Sequence, residues 1–456
     1  MTKLDGYNLL HQGGIALSEM ESNGMRIDIP YLEKATEQTA YRIKALEENL
    51  RSCDEFKLQR RKYGVKTNIT SRQQLGSVLF NEMGHEPLAH TKTGRAQLDE
   101  TALEKINSKY TKGFIRLEKL NKLLSTYLLP IKRELCGEYL HAFFGLHLVS
   151  SYRGQCDSPN LQNIPIRDPV QGPIIRKAFI PDPGCAIVEI DYSSAEVRVA
   201  CALSGDQKLT YDATQGDMHR DMAAECYMLS KKDVIKPVRQ AGKNSFVFAE
   251  FYGDYYKQVS ANLWEAIERH KLVTASGTPL YDHLLSKGIT GRGECDHDEK
   301  ALPGTFEFHI QQVEDRFWNK RFKVYHAKRR QWIEEYNNQG YIDIVTGFRC
   351  NGPLSKNQVM NMHIQGPAFH CLLWSLIKLT KEIKRRKMKT KLICQIHDSI
   401  IANVPISELD DYLELANDIA TKKVRQEWEW LTVPLVVEAE MSLTNWYEKK
   451  SVEIGG

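Results

Sequence analysis

An apolar strand that stops on a charge constrains this chain more than any other feature. In the stretch CAIVEIDYSSAEVRVAC, from Cys185 to Cys201, the residues Ala186, Ile187, Val188 and Ile190 read as a strand of a buried core that ends at Asp191. After Tyr192-Ser193-Ser194 the pattern turns helical, through Ala195, Val197 and Val199 to Ala202. A carboxylate left unpaired at the end of a core strand is costly, so something cationic has to meet it. Far along the chain, KLICQIHDSIIANVP is apolar on both sides of His397-Asp398 and reads as a buried hairpin carrying a second carboxylate. Two carboxylates on strands of one core are what a two-metal site requires, with divalent cations about 3.5–4 Å apart clamping the attacking and leaving oxygens. Magnesium binds few protein carboxylates and completes its shell with substrate phosphates, so two acids are enough. The plainer reading is a pair of solvated turn aspartates.

The helix KPVRQAGKNSFVFAEFYG shifts that balance. Arg239 and Lys243 are four apart and share a face near its N-terminal end, where phosphates are favoured by both the helix dipole and the cations. Phe246, Phe248 and Tyr252 follow, offering aromatic faces on which a base can stack. Read alone, the same pattern is an amphipathic helix with a solvated basic face.

Bulk properties leave room for this chemistry and exclude others. At 456 residues the chain predicts about two to four structural units. A net charge of +4 means that any nucleic-acid surface has to come from local clustering. No stretch approaches the roughly 18 apolar residues of a membrane span. The opening MTKLDGYNLLHQGG has no signal-peptide core, so a cytoplasmic protein is expected. The 10 cysteines include no C-x-x-C pair, which predicts reduced thiols. The cluster CDHD at Cys295 to Asp298 lacks a second ligand pair at zinc spacing, so no metal is assigned there.

Along the chain, periodicity predicts helices over 31–50 and through RQQLGSVLFNEMG, the second ending at Gly84. A long helix is predicted over 114–135, which Pro130 kinks or ends. SYRGQCDSPNLQNIP reads as a loop. Helices are predicted over 217–229, 236–253, 311–339 and 355–386, and a hairpin in YIDIVTGFRCNG with Gly347 at its turn. Residues 272–305 show little period and read as an insertion or long loop.

Taken together, these residues resemble a known family. DYSSAEVRVACALSGD resembles the first catalytic motif of family A DNA polymerases, the DNA polymerase I type, usually written DYSQIELRVLAHLSGD. The helix with Arg239 and Lys243 resembles their R-x-x-x-K…Y-G nucleotide-binding helix, and QIHDSII their V-H-D-E motif. SYRGQCDSPNLQNIPIRD is similar to R-x-x-S-x-x-P-N-L-Q-N-I-P, and NMHIQGPAFH to N-M-P-x-Q-G-x-A. MESNGMRID, TSRQQLGSVLFNEMG, HTKTGRAQLDE and LEKLNKLLSTYLLP resemble the approach to that family's polymerase domain and its thumb. The likeness spans about residues 5–448 and is interrupted mainly at 265–312.

The resemblance implies an α+β right-hand polymerase, with a palm of antiparallel sheet, helical fingers and a helical thumb. It divides the chain into an N-terminal helical segment on the palm (1–60), thumb (61–150), palm (151–205), fingers (206–340) and palm again (341–456). It implies template-directed addition of dNTPs to a primer 3′ end, with release of pyrophosphate. Asp191, Asp398 and the Tyr192 carbonyl would hold two Mg2+ ions. Arg239, Lys243 and His219 would grip the triphosphate. Phe248 would stack on the base, with Phe246 as the alternative. Glu196 would pair with Tyr252 and reject ribonucleotides. Arg153, Asn361, Gln365 and His397 would contact the primer–template.

Three departures stand out. One residue too many separates Lys243 from Tyr252, which predicts a helical bulge between Lys243 and Phe248. Ser399 stands where the family has Glu, and Ser194 where it has Gln. The His-Asp-Ser triplet is shared with single-subunit RNA polymerases, which Glu196 and the P-N-L-Q-N loop oppose. An inactive nucleic-acid-binding relative is opposed by the presence of Asp191, Asp398, Arg239 and Lys243. No Asp-x-Glu exonuclease motif occurs in residues 1–150, so proofreading is expected from a separate partner, alongside a processivity factor or helicase/primase. A phage or mobile-element origin is the expectation. The insertion at 265–312 is either decoration or a contact for template, partner or downstream duplex through His283, Lys287, Arg292 and His297.

Overall fold

A computed structural model of the chain describes residues 2–454, apart from 89, 91–93, 95, 167 and 294–299. The CDHD cluster and His297 lie outside the described residues, as do parts of HTKTGRAQLDE. Five strands form the sheet that organises the molecule: β1 (Cys185–Tyr192), β2 (Lys391–Ile396), β3 (Ser399–Pro405), β4 (Val437–Ser442) and β5 (Lys450–Val452). Their order is β5-β4-β1-β3-β2, and every neighbouring pair is antiparallel. β1 therefore sits in the middle, and its apolar run is buried because both of its edges and most of its faces are covered. β2 and β3 form the predicted hairpin, with His397-Asp398 as its turn.

The 31-residue helix Lys356–Arg386 crosses the sheet and starts at a capping box between Ser355 and Gln358. Helix Lys3–Asn23 packs beside it and against β2. Sequence periodicity did not indicate this first helix, because Gly6, Gly13 and Gly14 dilute its apolar stripe. The capping box from Thr2 to Asp5 was its signal. β4 was not singled out from the sequence, although Val437 and Ala439 are buried and alternate with exposed Glu438 and Glu440, the period-2 pattern of a half-buried strand.

Residues 195–339 share one continuous core with the sheet and add aromatic packing to it, with Phe317 at 5.2 Å from Phe246 and 4.9 Å from Phe322. A second body has its own core of Leu50, Leu75, Leu79, Leu103, Tyr110, Phe114 and Leu117. Helix Lys3–Asn23 joins the sheet, and Ile29–Arg51 packs along Lys109–Lys122, with Leu32 in one buried cluster with Ile187 of β1 and Ile393 of β2 and with Leu50 in the second body's core.

Two expectations become more specific. Pro130 does not end its helix: Lys109–Lys122 passes through a π turn, Leu123–Leu128, into Leu129–Arg133. A proline withholds the N–H that the Thr126 carbonyl would accept in a regular helix, and the wider turn accommodates the ring. Residues 272–305 are not merely an irregular loop. They include helix Leu280–Ser286, whose Leu280 and Leu284 are fully buried, and His283 Nε2 lies 3.1 Å from the Met228 carbonyl. A helix of 7 residues between Pro279 and Gly288 is too short to show a period. No helix among the described residues is long and apolar enough to cross a membrane, and the described cysteines are free thiols.

Candidate active site

Sheet register brings the two carboxylates together. Asp191, one residue before the end of β1, stands directly opposite Ser399 of β3 and Glu438 of β4. The next residue, Tyr192, donates its amide N–H to the Asp398 carbonyl at 3.1 Å. Asp398 stands on the β2–β3 turn after His397, which has a left-handed backbone (φ 49°). The Gln395 amide donates to the His397 carbonyl at 2.6 Å, and Gln162 donates to Gln395 Oε1 at 2.9 Å, so the turn is tied to the P-N-L-Q-N loop.

Neither carboxylate accepts a hydrogen bond or ion pair among the described residues. The Asp191 carboxyl is pushed up to about 7, first by burial and then by Asp398, Glu189 and Glu438. The residue is nonetheless exposed, so protein crowds it on one side and solvent reaches it on the other. Asp398 is also raised by burial, with Arg153 and His397 pulling it back. Glu189, on the same face of β1, is desolvated but held low by Lys449, whose Nζ is 2.5 Å away and also 2.8 Å from Glu440. One pair of acids is therefore neutralised within the protein, while Asp191 and Asp398 are not. Mutually repelling, unpaired carboxylates are a donor set suited to a divalent cation. No group of three or more His, Cys, Asp or Glu among the described residues is placed to hold a metal unaided. The Tyr192 hydroxyl is buried against Ser375 and the Ala420 carbonyl, which leaves only its backbone for such a role.

Beside Asp398 opens a cavity of about 420 Å3 whose wall includes Arg153, Glu196, Lys243, Phe248, Tyr252, Asn361, Gln365 and His397. A cavity of about 690 Å3 lies elsewhere, lined by Lys208, Glu225, Arg316 and Arg321, and contains none of the predicted residues. Helix Lys236–Gly242 continues through a π turn, Lys243–Val247, into Phe248–Tyr252. The extra residue is absorbed in that turn, where the bulge was expected. Phe246 is fully buried edge-on to Phe317, whereas Phe248 lines the cavity with Lys243 Nζ 5.2 Å from its ring centre. The Tyr252 hydroxyl donates to Glu196 Oε2 at 3.0 Å, and the Asn361 amide donates to the Tyr252 carbonyl at 3.3 Å.

Arg239 and His219 stand outside this cavity wall. Arg239 Nε binds both oxygens of Asp217, at 3.0 and 2.9 Å. Burial tends to raise Asp217, but Arg239 and the Arg220 amide hold it low. The His219 ring is pushed down to about 4 by burial and by Lys243 and Arg239. It meets Phe248 edge-on at 5.8 Å, and its buried Nδ1 has no partner among the described residues. An anion arriving between these groups would relieve their repulsion. Ser399 turns inward, donating to the Ile396 carbonyl at 3.0 Å, and Ser194 caps nothing with its side chain. Sequence reasoning missed Phe251, Ile364 and Tyr325 in the cavity wall. Phe251 was detectable as one helical turn beyond Phe248, while Tyr325 belongs to no motif.

Comparison with known proteins gives the family and the fold. A profile described as DNA polymerase family A matches residues 30–448. The chain belongs to that family. It is 29% identical over 443 residues to the thermostable DNA polymerase I of Thermus filiformis, covering 95% of this chain and 47% of that protein. With DNA polymerase I of Chloroflexus aurantiacus it shares 27% over 451 residues, covering 96% and 43%. The chain spans about half the length of the curated relatives it matches. Among solved structures, the POL domain of Pol1 from M. smegmatis in complex with DNA primer-template and dNTP superposes with a TM-score of 0.74 at 21% identity, covering 96% of this chain and 70% of that one. The fold is thus the right-hand fold of a DNA polymerase I polymerase domain.

Proposed function

We propose that this chain is a DNA-directed DNA polymerase that adds dNTPs to a primer 3′ end. The observation that carries the reading is the pair of unneutralised carboxylates, Asp191 and Asp398, the second of which shares a cavity wall with Lys243, Phe248, Tyr252 and Glu196. Asp191, Asp398 and the Tyr192 carbonyl would hold two Mg2+ ions, which when bound supply charge neutralisation at the reacting phosphate. Lys243, Arg239 and His219 bind the triphosphate, Arg239 through the guanidinium nitrogens not engaged by Asp217. Phe248 stacks on the base. Glu196 and Tyr252 close the sugar side. Arg153, Asn361, Gln365 and His397 hold the primer–template at the cavity rim. The primer 3′-hydroxyl attacks the α-phosphate and pyrophosphate leaves, so the protein's part is positioning and electrostatics.

A metal-titrated primer-extension assay with dNTPs tests this. Extension by the wild type that is lost in Asp191→Asn and Asp398→Asn supports the reading. Extension that persists at wild-type rate in either variant overturns the site.

A further inference from the structure

Tyr152, the residue before Arg153, has a left-handed backbone (φ 56°) without being glycine. Such a conformation is strained and persists only where its surroundings hold it. Here the holding groups are explicit. His370 Nε2 lies 3.1 Å from the Tyr152 carbonyl, and its other ring nitrogen, Nδ1, lies 2.6 Å from Thr346 Oγ1. A ring nitrogen facing a carbonyl has to carry the proton, so Nδ1 is bare and accepts from the Thr346 hydroxyl. His370 and Thr346 are both fully buried, and burial pushes the imidazole down to about 3, which keeps it in the neutral form with one proton.

The same clamp continues through the Tyr152 side chain. Its hydroxyl donates to the Arg349 carbonyl at 2.9 Å, and its ring lies 4.6 Å from Phe348, which is itself 4.5 Å from His370. Cys350 Sγ reaches the Ser150 carbonyl at 3.2 Å. Three segments distant in sequence, the loop before Arg153, the hairpin of Tyr341–Asp343 and Arg349–Asn351, and helix Lys356–Arg386, are locked together at this point. A buried apolar side chain would fill the space without desolvating polar atoms. The polar atoms present are matched instead to the Tyr152 backbone. Beyond this clamp Arg153 enters the cavity wall, and its charge bears on Asp398, Glu196 and Tyr252. His370 itself lies outside the wall.

We propose that His370 is a positioning residue for Arg153: by holding the Tyr152 carbonyl it fixes the left-handed turn that aims the guanidinium at the primer end beside Asp398, and Thr346 selects the tautomer that does so. This rests on the polymerase reading above. His370 touches no reacting atom and acts only through Arg153.

The test is a double-mutant cycle on single-nucleotide incorporation, using wild type, His370→Phe, Arg153→Ala and the double variant. His370→Phe keeps an aromatic ring, somewhat larger than the imidazole, and removes the donor. It is expected to lower kcat about tenfold or more while the dNTP KM stays within about threefold. In the Arg153→Ala background it is expected to change kcat by less than about twofold, because the group it positions is gone. Losses that multiply in the double variant, or an unchanged kcat in the single one, overturn the proposal. If His370→Phe does not fold, Thr346→Val is carried through the same cycle and judged by the same two outcomes. A wild-type chain that extends no primer overturns the polymerase reading itself, whereas multiplicative losses in an active chain overturn this proposal alone.

Discussion

Removal of Glu196 should weaken discrimination against ribonucleotides, and the structure sets the size of the effect. Glu196 is in the first turn of helix Ala195–Ser204, and its carboxylate accepts from the Tyr252 hydroxyl at 3.0 Å. Burial and Asp398 raise the carboxyl, while Tyr252 and Arg153 pull it back. A ribonucleotide's 2′-hydroxyl arriving here would meet the carboxylate and displace the Tyr252 bond. A hydrogen bond to a charged group contributes about 1.5–3 kcal/mol. Tyr252 is 44% exposed, so water replaces part of what is lost. A value around or below the lower end of that range applies, about 1–2 kcal/mol, or about 5–30-fold. The assay is the ratio of kcat/KM for a ribonucleotide over its deoxy counterpart. Glu196→Ala should raise that ratio by about 5–30-fold, and Tyr252→Phe by less, because the carboxylate still occupies the space. Ser399→Ala should leave it unchanged, since that hydroxyl faces the Ile396 carbonyl. A ratio that stays within about twofold in Glu196→Ala refutes the reasoning. A wild type that prefers ribonucleotides replaces it with an RNA polymerase.

Asp191→Asn and Asp398→Asn should abolish nucleotide addition while primer–template binding, read by fluorescence anisotropy, stays within a few-fold, because both acids serve the metals. Asp191→Asn should also raise the melting temperature of the metal-free protein in EDTA at pH 8. The folded carboxyl keeps its proton up to about 7, against 3.8 unfolded, so wild-type stability falls as pH rises through that window. The two proteins should therefore converge near pH 4, the lower edge of that window, and a gap that widens on acidification would contradict the assignment. Gly242→Ala should destabilise the fold by about 1–3 kcal/mol in urea titration, because the added Cβ would lie 2.6 Å from Ala223 Cβ and 2.9 Å from its Cα. Purified chain should not shorten a mismatched primer end in magnesium, and shortening that survives repurification would show an exonuclease within it.

Much of this protein was legible along the chain because its chemistry is carried by local patterns. The apolar run into Asp191, the His-Asp turn between two apolar strands and the basic, aromatic helix from Lys236 each declare an element and a charge within a few residues. Counting residues between Lys243 and Tyr252 even called for the π turn at Lys243–Val247, because one extra residue in a helix has to be absorbed in the backbone. Sequence could not choose between Phe246 and Phe248. Both sit on one helix with similar spacing, and only the packing of Phe317 buries the first and leaves the second in the cavity. The alternation of Val437, Glu438, Ala439 and Glu440 carried the strand signal of β4, but only register shows that it places Glu438 across from Asp191. The Asp217 grip on Arg239 and the clamp of His370 and Thr346 behind Arg153 were equally hidden. Those contacts join residues far apart in the chain, and no local periodicity records which side chains a fold brings face to face. The chain's own order of residues determined the elements and the acids. Register and packing decided which charges remain unpaired, and therefore where chemistry can occur.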